Sequence, residues 1–266
     1  MPKGLKALLL FILIVGPIIF YSAINKKNKG ANGLTLLAHR KSVSNAPSIA
    51  LIFDDLGESL ADLRDIYALE IPLTVAVIPD LKFSKNIAHI ASRCGFSVLI
   101  HLPLEPKREE LYQTDKYQFI SSKLTRRYNI SLLRKYLNSI RIAIGVNNHM
   151  GSSATENEEL MNLIFKDIKK RNLVFIDSRT SPKSIAYKIA NENNLICSYN
   201  EGFLDPLDGT ISLQMQMAEL IKAAKQKKKI IVIAHPRKKT IKFLKDELPT
   251  LKKEINFITI KDYFEL

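Results

Sequence analysis

From residue 48 onward, short apolar runs rich in β-branched residues alternate with longer amphipathic runs, and this alternation leaves few possible folds. Strands that are apolar along their whole length are typical of parallel sheets, and the amphipathic runs predict the helices that cover both faces. With seven or eight such units in about 220 residues, the candidates are a barrel and a doubly wound sheet. The predicted strands are residues 49–53, 73–78, 97–102, 142–146, 173–177, 195–199, 230–234 and 256–260. The predicted helices are residues 58–69, 83–94, 131–139, 155–171, 183–193, 211–228 and 239–252.

The first 47 residues differ in character from the rest. Residues 7–24 form an uncharged run of 18 residues, and a bilayer span needs about 17 at the least. Because no good small-x-small cleavage site follows, this run predicts an uncleaved signal anchor over residues 1–24 rather than a signal peptide; a helix buried in the globular domain is a further alternative. Residues 25–47 are polar and basic and predict a linker. We therefore expect residues 48–266 to form a domain anchored to the membrane outside the cytoplasm, or secreted if the signal is cleaved.

The net charge of +14, from 40 basic and 26 acidic residues, is unevenly distributed. Residues 1–47 carry seven basic and no acidic residues, and residues 222–253 carry twelve basic and two acidic ones. Lysines on both sides of a bilayer span attract anionic headgroups, which accounts for the first group. The rest of the domain is slightly acidic, which suits a cation better than nucleic acid, so no nucleic-acid partner is expected.

Polar and titratable side chains follow the predicted strands at their carboxyl ends, where parallel α/β folds carry their active sites. They are Asp54, Asp55, His101, Glu105, Asn148, His149, Ser152, Asp177, Arg179, Asp205 and His235. The chain lacks the glycine-rich motifs of nucleotide-binding loops, the H-E-x-x-H motif and the G-x-S-x-G motif of serine hydrolases. Nucleotide binding by those loops therefore has no support, and a serine hydrolase becomes less favoured.

The acidic pair Asp54-Asp55 has two interpretations. One carboxylate can bind a divalent metal and leave the other free as a base, or one of them can cap the next helix. His101 and Glu105 can likewise converge on one metal ion, or end a strand and face solvent. His149 can be a metal ligand or a turn residue.

Asp177 and Arg179 can pair with each other or orient a catalytic group. His235 can be a ligand, a general acid or base, or a donor to a nearby carbonyl. Each residue is ambiguous by itself, but so many acidic, imidazole and guanidinium groups at one end of a single sheet favour a functional site.

Six strings occur in a fixed order along the domain: IALIFDDLG, GFSVLIHLPLEP, GVNNHMGSSAT, VFIDSRTS, GFLD and AHP. Together they resemble the divergent polysaccharide deacetylase family, which is related to the NodB-type deacetylases, over roughly residues 48–262. This resemblance implies an irregular (β/α) barrel of about seven parallel strands.

The resemblance also implies roles for individual residues. Asp54 stands where the family has its catalytic base and Asp55 where it has a metal ligand. His101 and Glu105 stand at a two-histidine motif, with Glu105 in place of the second histidine. His235 matches the general acid.

The remaining family positions are less closely matched. Residues 147–149 occupy the place of an arginine-containing motif, and Asp177 and Arg179 stand where a fourth motif has its acidic residue. We predict that Asp177 and Arg179 set the charge states of Asp54 and His235.

We therefore predict a metal-dependent hydrolase that removes N-acetyl or O-acetyl groups from a cell-envelope carbohydrate such as a peptidoglycan-like glycan. Zinc is the expected metal, held by Asp55, His101 and either Glu105 or His149. The other polar residues at the strand ends are predicted to bind substrate, namely Asn148, Ser152 and Asp205. The alternative is a catalytically inactive barrel that binds an envelope glycan or a protein partner.

Overall fold

The computed structural model describes residues 45–108, 115–206 and 211–266. Its strands are β1 (Ser48–Leu56), β2 (Thr74–Val77), β3 (Ser97–Leu104), β4 (Gly145–Met150), β5 (Val174–Asp177), β6 (Cys197–Phe203), β7 (Lys229–Ala234) and β8 (Asn256–Ile258). Its α-helices are α1 (Leu60–Tyr67), α2 (Ser84–Arg93), α3 (Arg126–Ser139), α4 (Glu158–Lys170), α5 (Ala186–Glu192), α6 (Leu213–Lys227), α7 (Lys238–Glu254) and α8 (Ile260–Phe264). A 3₁₀ turn at Ala154–Glu156 precedes α4.

Strands β1 to β7 close into a ring of parallel strands. Each strand pairs with the next one in the chain, and β7 pairs with β1. The short β8 pairs with Ser48–Ala50 of β1, along the part of that edge that β2 leaves unpaired. The predicted parallel β/α barrel is thus confirmed, and the doubly wound alternative is excluded because the sheet closes on itself.

Alternate residues of the strands belong to two separate cores. Ile49, Leu51 and Phe53 of β1 pack in the larger core with apolar residues of the surrounding helices. The smaller core contains Ala50, Ile52, Ala76, Leu99, Val174, Ile176, Ile231, Ile233 and Ile260. None of these residues comes from helices α1–α7, so this second core fills the barrel interior.

The barrel interior is apolar in the middle and polar at the carboxyl ends of the strands. The inward-facing series continues from Ile52 to Asp54 on β1 and from Leu99 to His101 on β3. On β7 it continues from Ile233 to His235. Since side chains alternate along a strand, the inward series delivers these polar groups to a single mouth of the barrel.

The opposite mouth is closed by α8, which the sequence patterns do not predict. Ile260 is fully buried in the inner core, and its backbone N–H donates to Thr74 Oγ1 at 2.9 Å. The N–H of Lys261 donates to Ser97 Oγ at 3.2 Å. Residues 256–260, predicted as one strand, form β8 and the start of this helix instead. Access to the barrel interior is therefore from the polar mouth.

The predicted signal anchor, residues 1–24, and residues 25–44 of the predicted linker lie outside the described residues. Within the described part of the chain, no helix combines the length and the apolar character that crossing a bilayer requires. The anchor stays a prediction.

Candidate active site and metal centre

A β-bulge at the end of β1 turns two successive carboxylates toward the same mouth. Phe53 pairs with Val75 and Leu56 with Val77, so β1 contains one extra residue over this interval. Asp55 lies in this interval with a φ of 61°, a left-handed conformation that aspartate tolerates better than most residues. In a regular strand Asp54 and Asp55 would face opposite sides, and the bulge brings both to the site.

Asp55, His101 and His149 form a compact group of potential metal ligands. Asp55 Oδ1 lies 3.1 Å from His101 Nε2 and 2.8 Å from His149 Nδ1. One ligand atom from each residue lies within 4.8 Å of the other two. The side chain of His101 is 3% exposed and that of Asp55 is 40% exposed, so the group is open to solvent on the Asp55 side.

The second nitrogen of each histidine has its own partner. His101 Nδ1 lies 3.0 Å from Asn147 Oδ1, and His149 Nε2 lies 2.9 Å from the hydroxyl of Tyr117. Asn147 Nδ2 donates to Asp54 Oδ1 at 2.8 Å, which turns the Asn147 oxygen toward His101. His101 Nδ1 must therefore carry a proton, and only its Nε2 is available to a metal.

Burial and hydrogen bonds shift the charge states in this group in opposite directions. Burial by itself would raise the pKa of Asp55, but hydrogen bonds from His101 and His149 outweigh it and hold the pKa well below its usual range. Burial would lower the pKa of His101, but the carboxylates of Asp54 and Asp55 raise it. Burial lowers the pKa of His149. Burial also raises the pKa of Tyr117, to about 12, which keeps its hydroxyl protonated.

Asp54 is buried beside the three-ligand group and has a different environment from Asp55. Its Oδ2 lies 3.5 Å from His101 Nε2, and its Oδ1 accepts the hydrogen bond from Asn147. Burial raises the pKa of Asp54 to about 6, against the opposing effect of His101 and His235. Two adjacent carboxylates with pKa values driven apart can take the different roles of ligand and base.

His235 is held by Asp205. The Nδ1 of His235 lies 2.9 Å from Asp205 Oδ1, and the backbone N–H of His235 donates to the same carboxylate. Nε2 lies 3.8 Å from Asp55 Oδ2, and the ring of Phe203 stacks on the imidazole. Burial would lower the pKa of His235, but the hydrogen bond to Asp205 and the nearby carboxylates raise it. His235 Nδ1–H thus donates to Asp205, and Nε2 is left to act at the site.

Of Glu105 and His149, the two predicted alternatives for the third ligand, His149 lies beside Asp55 and His101. Glu105 does not belong to the three-ligand group. Its Oε2 accepts hydrogen bonds from the hydroxyls of Ser121 and Ser122 at 2.8 and 2.9 Å and from the N–H of Ser122. Burial would raise the pKa of Glu105, but these hydrogen bonds lower it. Glu105 therefore anchors a loop as a carboxylate.

Asp177 and Arg179 have partners other than Asp54 and His235. Asp177 Oδ1 accepts a hydrogen bond from the N–H of Arg179, and Oδ2 accepts from Ser184 Oγ. The Arg179 guanidinium carbon lies 3.6 Å from the centre of the Tyr199 ring. Among the described residues, no hydrogen bond or ion pair joins this pair to Asp54 or His235, and its influence on their charges stays a prediction. The hydrogen-bond partners of Asp54 and His235 include Asn147 and Asp205.

The three residues predicted to bind substrate have other partners in the structure. Asn148 is buried, accepts from the N–H of Ser178 and donates to the carbonyl of Met150. Ser152 Oγ accepts from the N–H of Lys107. Asp205 orients His235, as described above. None of these contacts points to a ligand, and substrate binding by the three residues stays a prediction.

Two residues of the site received no role from the sequence patterns, Asn147 and Tyr117. Asn147 lies two positions before His149 on the inward-facing side of β4, so strand alternation could have identified it. Tyr117 lies in a loop without periodicity, and no sequence signal identifies it.

The donor set suits a divalent first-row metal ion. Asp55, His101 and His149 provide one carboxylate oxygen and two imidazole nitrogens, and three protein ligands with an open side are typical of catalytic zinc sites. Both histidines also have the second hydrogen-bond partner that metal-ligating histidines almost always have.

Comparisons with known proteins find relatives in sequence and in fold. An uncharacterized protein of Haemophilus influenzae is 31% identical over 210 residues, which cover 79% of this chain and 74% of that protein. The uncharacterized protein YibQ of Escherichia coli is 27% identical over 215 residues, which cover 80% of this chain and 66% of YibQ. The crystal structure of the uncharacterized protein ATU2773 from Agrobacterium tumefaciens C58 shares the fold, with a TM-score of 0.75 at 19% identity, covering 85% of this chain and 92% of that one.

The sequence profile described as divergent polysaccharide deacetylase matches residues 51–264, which include every titratable residue of the site. Since this match and the relative at 31% identity both span most of the chain, the protein belongs to the divergent polysaccharide deacetylase family.

Proposed function

We propose that the protein is a metal-dependent hydrolase that removes N-acetyl or O-acetyl groups from a cell-envelope carbohydrate, with zinc as its metal. The observation that supports this most directly is the three-ligand group of Asp55, His101 and His149 with a buried carboxylate and a third histidine beside it. Membership of the family supports a carbohydrate as substrate.

A bound divalent metal would lower the pKa of a water molecule and polarise the acetyl carbonyl. Asp54 is suited to accept the proton of the attacking water. With a pKa of about 6 it is ionised at neutral pH, yet it is basic enough to take a proton during the reaction. The hydrogen bond from Asn147 leaves Asp54 Oδ2 as the oxygen on the side of His101.

His235 is suited to protonate the leaving amine or alcohol. Its Nδ1–H donates to Asp205, so the proton to be delivered is carried by Nε2, which faces Asp55. The carboxylate of Asp205 favours the protonated imidazolium, because it raises the pKa of His235. The stacked ring of Phe203 restricts the imidazole from one face.

The test combines metal analysis with turnover. We expect zinc in the purified wild-type protein, loss of zinc from Asp55→Ala and retention of zinc by His235→Ala. Equal zinc content in wild type and Asp55→Ala would refute the ligand assignment.

Acetate release from peptidoglycan or chitin oligomers measures turnover. We expect release that stops with a chelator, returns with zinc and is lost in His235→Ala. Glycan binding by zinc-loaded wild type without acetate release would favour an inactive barrel that recognises an envelope glycan.

We also propose that residues 1–24 anchor the chain in a membrane and that the domain lies outside the cytoplasm. The uncharged run of residues 7–24 supports this proposal. Protease added to spheroplasts should digest the domain, and full protection of the domain would refute this location.

A further inference from the structure

Residues 115–122, which we call the strap, follow β3 in the chain and return to its end. Ile120 forms a parallel bridge with Leu104. The N–H of Ile120 donates to the carbonyl of Pro103, and the N–H of Glu105 donates to the carbonyl of Ile120, both at 3.0 Å. The strap is therefore attached to the sheet at the polar mouth of the barrel.

Glu105 provides a second attachment. Its side chain is buried, and its Oε2 accepts hydrogen bonds from Ser121 Oγ and from the N–H and hydroxyl of Ser122. A buried carboxylate is costly without such partners, so the strap residues and Glu105 stabilise one another. Glu105 takes the place of a family histidine, and in this chain it fastens the strap.

Helix α3 provides a third attachment. The hydroxyl of Tyr136 donates to the carbonyl of Gln118 at 2.8 Å and accepts from the N–H of Gln118 at 2.9 Å. Asn129 accepts from the N–H of Ser121 and donates to the carbonyl of Ser121. The backbone next to Tyr117 is thus fixed by hydrogen bonds from a helix of the barrel.

These attachments hold Tyr117 against His149. The hydroxyl of Tyr117 lies 2.9 Å from His149 Nε2, and the two rings meet edge to face with centres 5.5 Å apart. On its other edge Tyr117 packs against Phe119 at 5.6 Å. The opposite nitrogen of His149, Nδ1, faces Asp55 Oδ1. The imidazole of His149 is thus held at both nitrogens, by Tyr117 on one side and by Asp55 on the other.

We infer that Tyr117 is a positioning residue of the metal centre and that it couples the strap to metal binding through His149. The inference rests on the proposed function, because it requires a metal at Asp55, His101 and His149. It goes beyond that proposal in assigning a role to a loop residue whose hydroxyl contacts His149.

A tyrosine hydroxyl suits this role because it can both donate and accept. While Nδ1–H of His149 donates to Asp55, Nε2 is an acceptor and Tyr117 O–H donates to it. When Nδ1 gives its lone pair to a metal, a neutral imidazole carries its proton on Nε2, and Tyr117 accepts. The Tyr117 oxygen can therefore hold the His149 ring with and without a metal. Phenylalanine has no hydroxyl and can neither donate nor accept this hydrogen bond.

The experiment compares Zn²⁺ affinity of the full-length wild type and Tyr117→Phe by competition with a chelator. Loss of a hydrogen-bond partner of a ligating histidine typically weakens metal affinity by roughly 10- to 100-fold, and we expect a loss in this range. The matched control is Tyr128→Phe. Tyr128 donates to the side chain of Gln118 in the same strap but does not contact His149, so its removal should leave Zn²⁺ affinity unchanged.

Equal Zn²⁺ affinity of wild type and Tyr117→Phe would overturn this inference and leave the proposed function standing. Absence of zinc binding to the wild type would refute both the proposed function and the inference. A measurement on the wild type needs no variant: the ¹⁵N spectrum of the Zn²⁺-loaded protein should show His149 protonated at Nε2 and metal-bound at Nδ1. Binding through Nε2 would overturn the inference. Zn²⁺ should also slow amide exchange in the strap of wild type more than in Tyr117→Phe, because coupling between two sites is reciprocal.

Discussion

A substitution of Asp177 separates its predicted catalytic role from a purely structural one. Its buried carboxylate accepts from the N–H of Arg179 at 2.8 Å, from Ser184 Oγ at 2.7 Å and from the N–H of Tyr187 at 3.3 Å. Tyr187 lies in the first turn of α5, and Ile185, the residue directly before this helix, offers no capping side chain. Asp177 therefore supplies from the end of β5 the cap that α5 lacks.

The cost of Asp177→Ala follows from these contacts. Two backbone N–H groups lose their acceptor, and an unsatisfied donor of this kind costs about 1–3 kcal/mol, while the Ser184 hydroxyl can rotate to another partner. A cost of about 1.5 kcal/mol for each of the two N–H groups gives a loss of about 3 kcal/mol in the free energy of unfolding. For a domain of this size such a loss lowers the melting temperature by roughly 6–12 °C.

Urea unfolding followed by circular dichroism measures the loss. The control is Ser184→Ala, which removes the hydrogen bond to Asp177 and the one that Ser184 Oγ accepts from the N–H of Ala186. The loss of these two hydrogen bonds should cost about 2 kcal/mol. Zinc affinity of folded Asp177→Ala should match that of the wild type, because Asp177 contacts none of the ligands. Unchanged stability together with lost turnover would refute this reasoning and restore the catalytic role that the sequence predicts.

Three further outcomes are expected. Gly145→Ala should destabilise the domain by about 1–3 kcal/mol in urea unfolding, because the new methyl group would lie 2.8 Å from the carbonyl oxygen of Val174 and would collide with the Val174 side chain. Wild-type stability would show that β4 can shift. Asn147→Ala should weaken Zn²⁺ binding by roughly 10- to 100-fold in chelator competition, since His101 Nδ1 loses its partner, and an unaltered affinity would contradict the orientation assigned to His101. Burial raises the pKa of both Cys94 and Cys197 to about 11, so iodoacetamide labelling should accelerate as the pH rises toward 11. At pH 8 the thiolate fraction of each should be about a hundredfold below that of a free cysteine with a pKa of 9.0. Rapid labelling at pH 8 would argue against the burial of these thiols.

Most elements of the barrel were predictable, but their ends were not. The fourth strand was predicted at residues 142–146 and lies at Gly145–Met150. The third and sixth strands likewise extend beyond their predicted ends, to Leu104 and Phe203. Polar residues normally indicate that a strand has ended. In this barrel the strands continue into a polar mouth, so His101, Asn147 and His149 are strand residues.

Two predicted helix boundaries differ from the observed ones, and the reasons are local. Helix α3 begins at Arg126 rather than at residue 131, because Thr125 caps it by accepting from the N–H of Tyr128. The single helix predicted at residues 155–171 is divided, because Asn157 caps α4 and leaves a 3₁₀ turn before it.

The sequence by itself determined three features: the order of strands and helices, the polar groups at the carboxyl ends of the strands, and the strings that resemble the family. These features depend on residues close together in the chain, since a strand needs a local apolar run and a helix a local amphipathic period. Asp54, Asp55, His101, His149 and His235 were predicted as site residues on this basis, and the structure brings them together.

Only the tertiary structure decided which of these polar groups face one another. Asp55 meets His149 across 94 positions of sequence, and it does so because a bulge in β1 turns its side chain inward. Closure of the ring then sets Asp205 against His235, Glu105 against the strap and Tyr117 against His149. Such contacts depend on how separate strands pair and on where loops return to the barrel, and a local pattern contains no information about either.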